Sequence, residues 1–221
     1  MRFSSFHTQL FSLLALLLLS AVACSAQNPE PITSDSELTS IEVVYSEAET
    51  LATASAEMKQ VPHLELAQSY VGTQELTGAN DGPEIEQFLA TVNLKAGNPY
   101  CAAFVSYILE DSPGVTKPDV RSGLAYHFIT DDSIPANQVL RGTTTIPDGT
   151  ILVWRKGNTI YGHTGFVADH PSANHFETIE ANTSSGRYGN QRDGDGVWLR
   201  QRSIQPGNYF RITHFTRVVY A

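Results

Sequence analysis

The spacing of apolar residues changes period part-way along the chain, and this change restricts the fold more than any other feature. As far as Leu109 apolar side chains recur three and four residues apart; from Ile151 onward they come in short blocks rich in β-branched and aromatic residues. Pro62 suits the first turn of a helix running to about residue 71, with Leu64, Ala67, Tyr70 and Val71 at helical spacing. A second helix is predicted over residues 84–92, where Ile85, Phe88, Leu89 and Val92 share a face. A third starts at Cys101, with Phe104, Val105, Ile108 and Leu109, and ends at Ser112-Pro113-Gly114. After a mixed connection, strands are predicted over residues 151–154, 164–168, 176–181, 197–199 and 209–220. Helices first and strands second imply an α+β domain, with N-terminal helices packed on an antiparallel sheet.

The N-terminal part is read as leader. Arg2 precedes an apolar run over residues 11–23, broken only by Ser12 and Ser20, which is shorter than a membrane-spanning helix and reads as an export signal. Its exit, Ala21-Val22-Ala23-Cys24, resembles a bacterial lipoprotein cleavage box with Cys24 as the lipidated residue, although Ala21 stands where a leucine is usual. The same residues fit ordinary signal cleavage. An exported protein is therefore expected, held to the membrane through a lipid on Cys24 and periplasmic or on the outer membrane, or else simply secreted. Residues 24–61 read as an acidic spacer and residues 62–221 as the folded domain. From residue 24 to 86 there are twelve acidic residues against one lysine, a net of −11; from 87 to the end the net is +1. The acid excess lies ahead of residue 87, and a basic nucleic-acid footprint is missing, so no nucleic-acid partner is expected.

Cys101 stands at the start of an apolar helix. A helix N-terminus carries unpaired N–H groups and partial positive charge, which favour a thiolate and could hold an oxyanion. Most free cysteines are small buried hydrophobes, so His163 matters: it follows Tyr161-Gly162 and opens a strand, sharing a face with Gly165 and Val167. A hairpin that pairs Val167 with Phe176 sets Gly165 opposite Thr178 and His163 opposite Glu180, with Asn182 the diagonal neighbour. Either side chain could orient the imidazole.

Gly97-Asn98-Pro99-Tyr100-Cys101-Ala102-Ala103-Phe104-Val105-Ser106 resembles the nucleophile segment of the CHAP family, the cysteine- and histidine-dependent amidohydrolases and peptidases. Gly162-His163-Thr164-Gly165-Phe166-Val167 is similar to its histidine strand and Ile179-Glu180-Ala181-Asn182-Thr183 to its third segment, at separations of 62 and 17 residues. Glu75 with the run 78–83 resembles a lead-in of one branch, and residues 194–198 and 213–218 resemble closing strands. Each motif is loose, but three in this order are specific. The resemblance implies a papain-like fold and hydrolysis of peptidoglycan amide bonds, either N-acetylmuramoyl–alanine or stem and cross-bridge peptide. It implies Cys101 as nucleophile, His163 as base and Glu180 or Asn182 as the orienting group. Pro147-Asp148-Gly149-Thr150 departs from the family's usual Gly-Asp, and residues 92–100 lack the spaced aspartates of a calcium loop.

The alternatives are a catalytically silent wall-binding module, which would need no nucleophile, and an antibacterial toxin of the same fold. Tyr100, Trp154 and Tyr161 are candidates for a substrate cleft, and Tyr188 for a sugar contact, although packing serves these side chains equally well. His170 and His175 do not have a zinc-motif spacing, and Asp193-Gly194-Asp195-Gly196 reads as a turn. Neither a cofactor nor a metal is expected.

Overall fold

A computed structural model describes residues 61–185 and 194–221. The expected leader, Cys24, the acidic spacer, Tyr188 and Asp193 lie outside the described residues. Three helices come first: α1 (Pro62–Ser69), α2 (Pro83–Thr91) and α3 (Cys101–Glu110). Pro62 and Pro83 occupy the opening turns of α1 and α2, where a missing N–H is no loss. Then follow β1 (Val115–Lys117), a 3₁₀ turn (Ala125–Phe128), β2 (Ile134–Pro135) and α4 (Ala136–Leu140). The chain ends in β3 (Ile151–Lys156), β4 (Gly162–Ser172), β5 (His175–Thr183), β6 (Gly196–Arg202), β7 (Phe210–Thr216) and β8 (Val219–Tyr220). The main sheet is antiparallel in the order β2-β7-β3-β4-β5-β6, and β1 pairs with β8 apart from it. The fold is α+β, consistent with the papain-like arrangement.

Both faces of the sheet's centre are covered, which is why residues 151–154 read as an unbroken apolar run. One core sets Ile151, Val153, Phe166, Ile179, Ala181 and Val197 against the helices. The other holds Leu152, Trp154, Val167, Phe176, Ile212 and Phe215, with Ile134 and Val139 from β2 and α4. Edge-on aromatic contacts join the helices and continue into the sheet: Tyr70 to Phe88 at 5.1 Å, Phe88 to Phe104 at 5.1 Å and Phe104 to Phe166 at 6.3 Å between centroids. Such pairs add about 0.5–1.5 kcal/mol each beyond the area they bury. His63 ties α1 to the rest of the domain. Its Nε2 donates to the Gly149 carbonyl at 2.7 Å and its Nδ1 meets the Tyr220 hydroxyl at 2.5 Å. A side chain at Gly149 would come within 2.6 Å of the His63 ring.

Three sequence expectations change. The connection after α3 contains short elements that periodicity over a few residues cannot reveal. The strand predicted over 209–220 divides into β7 and β8, which belong to different sheets. The β4–β5 register is two residues away from the expected one: Phe166 faces Ile179 and Val167 faces Thr178. Bulges between Val167 and Asp169 and between Asp169 and Ser172 absorb the difference, so counting outward from the turn gives the wrong partners.

Candidate active site

Cys101 is the first residue of α3 and is 7% exposed. No side chain among the described residues caps this helix; Tyr100 precedes it, and the Phe104 N–H bonds back to the Tyr100 carbonyl at 2.8 Å. The N–H groups of Cys101, Ala102 and Ala103 therefore lie in the turn whose donors a helix cannot satisfy internally.

Tyr100 does not line a cleft. It is completely buried, and its hydroxyl donates to Glu75 Oε1 at 3.1 Å. Glu75 Oε2 in turn accepts the Asn80 N–H at 2.9 Å, and the Asn182 N–H reaches the Tyr100 hydroxyl. Burial, reinforced by the Glu75 charge, raises the Tyr100 pKa far above its ordinary value and keeps the phenol protonated as a donor. A side chain needed to close this network cannot also face substrate. The network pins the start of α3 to the loop before α2 and to the end of β5.

His163 is the second residue of β4. Its Nε2 lies 3.0 Å from Glu180 Oε2, and the Cys101 side chain is near enough to the same imidazole to act on its charge. Burial pulls the His163 pKa down, but Cys101 and Glu180 outweigh it and raise it to about 9.

Glu180 is completely buried, with both oxygens saturated. Oε1 accepts from Arg202 Nε at 2.7 Å and Thr178 Oγ1 at 2.6 Å, and Oε2 from Arg202 Nη2 at 2.6 Å as well as from His163. Burial pushes the carboxyl pKa up, but Arg202 and then His163 reverse this and hold it well below the ordinary carboxylate range. Desolvation tends to lower the Arg202 pKa, but Glu180 overrides it and raises it. Gly165 makes the room: a Cβ there would sit 2.5 Å from the Ile179 carbonyl oxygen and 2.8 Å from Glu180 Cγ.

Asn182 stands differently. Its backbone is in the left-handed region, with φ 54, and its Nδ2 donates to Asn80 Oδ1 at 2.9 Å. Of the two orienting candidates, Glu180 meets His163 and Asn182 closes the Tyr100 network. Trp154 packs at a tilt against His163, 5.2 Å between centroids, and is 8% exposed. Tyr161 is exposed, with the Lys156 ammonium 6.0 Å from its ring centre.

The remaining sequence candidates have local partners. Asp195 accepts from Ser185 and from Trp198 Nε1, the latter at 2.7 Å. His175 Nδ1 lies 3.0 Å from Ser172 Oγ. Asp148, Asp169 and His170 bring their ligand atoms within 4.8 Å of one another, and His170 Nδ1 pairs with Asp148 there at 2.8 Å.

The sequence reading missed Arg202 and Thr178, which complete the shell around Glu180. Both lie on strands, but the predicted strand ended at Leu199, three residues before Arg202. Alternation carried on to residue 202 would have placed Trp198, Arg200 and Arg202 on one face. Arg202 is the ladder partner of Phe176, however, so its guanidinium reaches Glu180 by running back along the strand.

Together these groups can supply a nucleophile, a proton carrier, an orienting anion and oxyanion donors. The CHAP domain family model matches residues 93–182, which include Cys101, His163, Glu180 and Asn182 but not Arg202. No curated protein matches the chain.

Proposed function

Starting from membership of the CHAP domain family over residues 93–182, a family of amidase- and peptidase-type hydrolases of peptidoglycan, we propose that this protein is an exported cysteine hydrolase that cuts an amide bond in peptidoglycan. The observation that carries the reading is the continuous line from Cys101 through His163 to Glu180 and Arg202.

His163 takes the proton of the Cys101 thiol as the sulfur attacks. The thiolate attacks the amide carbonyl, and the helix N–H groups hold the oxyanion. The imidazolium passes its proton to the leaving amine, giving a thioester; His163 then takes a proton from water, which releases the acid and restores Cys101. Glu180 stays ionised throughout and fixes the ring beside the sulfur. Arg202 and Thr178 hold Glu180. The apolar run over residues 11–23, followed by Cys24, supports export and lipid attachment, and intact-mass analysis of membrane-extracted protein tests both.

The decisive experiment digests purified peptidoglycan and identifies the fragments by mass spectrometry. Wild type should release either free stem peptides or split peptides, which distinguishes amidase from endopeptidase. Cys101→Ala should fold normally and lose about 10⁴- to 10⁶-fold in rate, the scale of nucleophile loss in triad enzymes. Wild-type activity in well-folded Cys101→Ala protein would rule out the covalent mechanism. Inactivity of the wild type on several wall types would favour the wall-binding module.

A further inference from the structure

Three aromatic side chains stand exposed among the described residues, Tyr161, Tyr209 and Phe210, and all three lie at the end of the sheet that holds His163. Trp154 is the ladder partner of both His163 and Ile212, so these three form a row across β4, β3 and β7 on one face. Two residues further along, Lys156 faces Phe210 across the ladder, and its N–H bonds to the Tyr161 carbonyl at 3.0 Å, which carries the β3–β4 pairing one step past the start of β4. Alternation therefore sets a second row, Tyr161-Lys156-Phe210, on the same face as the His163 row. The side chains agree: the Lys156 ammonium is 6.0 Å from the Tyr161 ring centre, and Phe210 and Trp154 line one cavity of about 400 Å³. The inner row is packed, with Trp154 8% and Ile212 2% exposed, whereas Tyr161 is 67% and Phe210 47% exposed. Tyr209 lays its ring against the Gly157 backbone, where an added Cβ would come within 2.5 Å of it.

We propose that the outer row is a glycan platform, on which Tyr161 and Phe210 stack the sugar that carries the scissile amide. The proposal rests on the peptidoglycan reading above and narrows it to the N-acetylmuramoyl–alanine bond. A pyranose presents a face of C–H groups that is apolar and weakly positive, which matches the negative face of an aromatic ring. Its hydroxyl and acetamido groups need donors and acceptors at the edge of that contact. Lys156 stands between the two rings with three donors, and Gln205 and Asn208 on the cavity wall with Phe210 supply neutral amides. An extended peptide adds to a sheet through a free edge, and β3, the middle strand of this surface, is paired on both sides. Two residues of strand advance about 6.6 Å, so a sugar on the outer row brings the amide joined to it to the His163 row. Cleavage deep in the stem peptide would leave the sugar off the platform.

The test uses full-length Cys101→Ala protein, which binds without turnover, titrated calorimetrically with a peptide-free oligosaccharide of alternating N-acetylglucosamine and N-acetylmuramic acid. It should bind. Adding Tyr161→Ala and Phe210→Ala together should weaken binding about tenfold or more, the scale of two ring contacts. Tyr161→Phe keeps the ring and should leave binding near the parent value. Both side chains are exposed, so the fold should persist, with circular dichroism as the control. With Cys101 in place, wild type should release free stem peptides from peptidoglycan, and loss of both rings should slow that release. No binding of the oligosaccharide, binding that survives loss of both rings, or products cut only within the peptide overturns the platform. Peptidoglycan digestion by the wild type with any of those results discards the platform alone. Failure of digestion counts against the hydrolase reading itself, and ring-dependent oligosaccharide binding beside that failure leaves the platform standing on a wall-binding module.

Discussion

Replacing Arg202 with methionine keeps most of the side-chain length beside Trp154 and removes both charge-assisted bonds to Glu180, at 2.7 and 2.6 Å. Glu180 then keeps only Thr178 and His163, in a completely buried position. Breaking a buried ion pair by removing one partner costs about 3–5 kcal/mol. The Arg202 side chain is 28% exposed, so water can replace part of it, and a loss of about 2–3 kcal/mol in stability is expected. The chemical effect is more specific. Burial already favours the protonated carboxyl, and Arg202 is the foremost influence opposing it. Without Arg202 the Glu180 pKa should rise by roughly one to three units. A neutral Glu180 stabilises the His163 imidazolium less, so the acid limb of the pH–rate profile should move up by a similar amount. Glu180 starts so far below the ordinary carboxylate range that it stays ionised at neutral pH, so the fall in rate should be confined to the acid limb. The assay is fragment release from purified peptidoglycan, carried down to the lowest pH at which the protein stays folded, with thermal unfolding as the folding control. Arg202→Lys should recover part of the activity, since it keeps the charge but not the two-pronged geometry. An unshifted acid limb in folded Arg202→Met protein would show that Glu180 does not depend on Arg202.

Glu180→Gln should reduce activity more than Asn182→Ala, because Glu180 contacts His163 whereas Asn182 bonds to Asn80; kinetics on folded variants decide it, and the reverse ranking would give Asn182 the larger part. Gly165→Ala should destabilise the domain by about 1–3 kcal/mol and reduce activity, since the new methyl meets the Ile179 carbonyl oxygen at 2.5 Å and displaces Glu180; denaturant melts give the first number and fragment release the second. His163, with its pKa raised to about 9, contributes stability that is complete below its ordinary value near 6.5 and is lost as pH rises through 9. Unfolding free energy should fall across that window by up to about 3 kcal/mol, and the fall should be absent in His163→Ala.

Much of the site could be read from the sequence because its parts are local. Cys101 at a helix start follows from the apolar spacing at Phe104, Val105 and Ile108, and His163 on a strand from the alternation around Gly165 and Val167. The order of helices and strands likewise follows from a change of period, which is a property of neighbouring residues. The hairpin register is different: bulges between Val167 and Ser172 alter it without leaving a signal in the apolar pattern. Which of Glu180 and Asn182 meets His163 was therefore decided by the folded sheet, together with the left-handed turn of the backbone at Asn182. Nothing local ties Arg202 to Glu180. It lies 22 residues from Glu180 on another strand, and only strand pairing and the curl of its side chain back along β5 bring the two together. Tyr100 shows the same limit from the other side. Beside Cys101 it resembled a cleft residue, yet its ring is completely buried and its hydroxyl is held by Glu75 and the Asn182 N–H from two distant segments. Helices and strands are set by contacts a few residues long, whereas the ionisation of Glu180 and His163 depends on which distant charges are packed against them without water between.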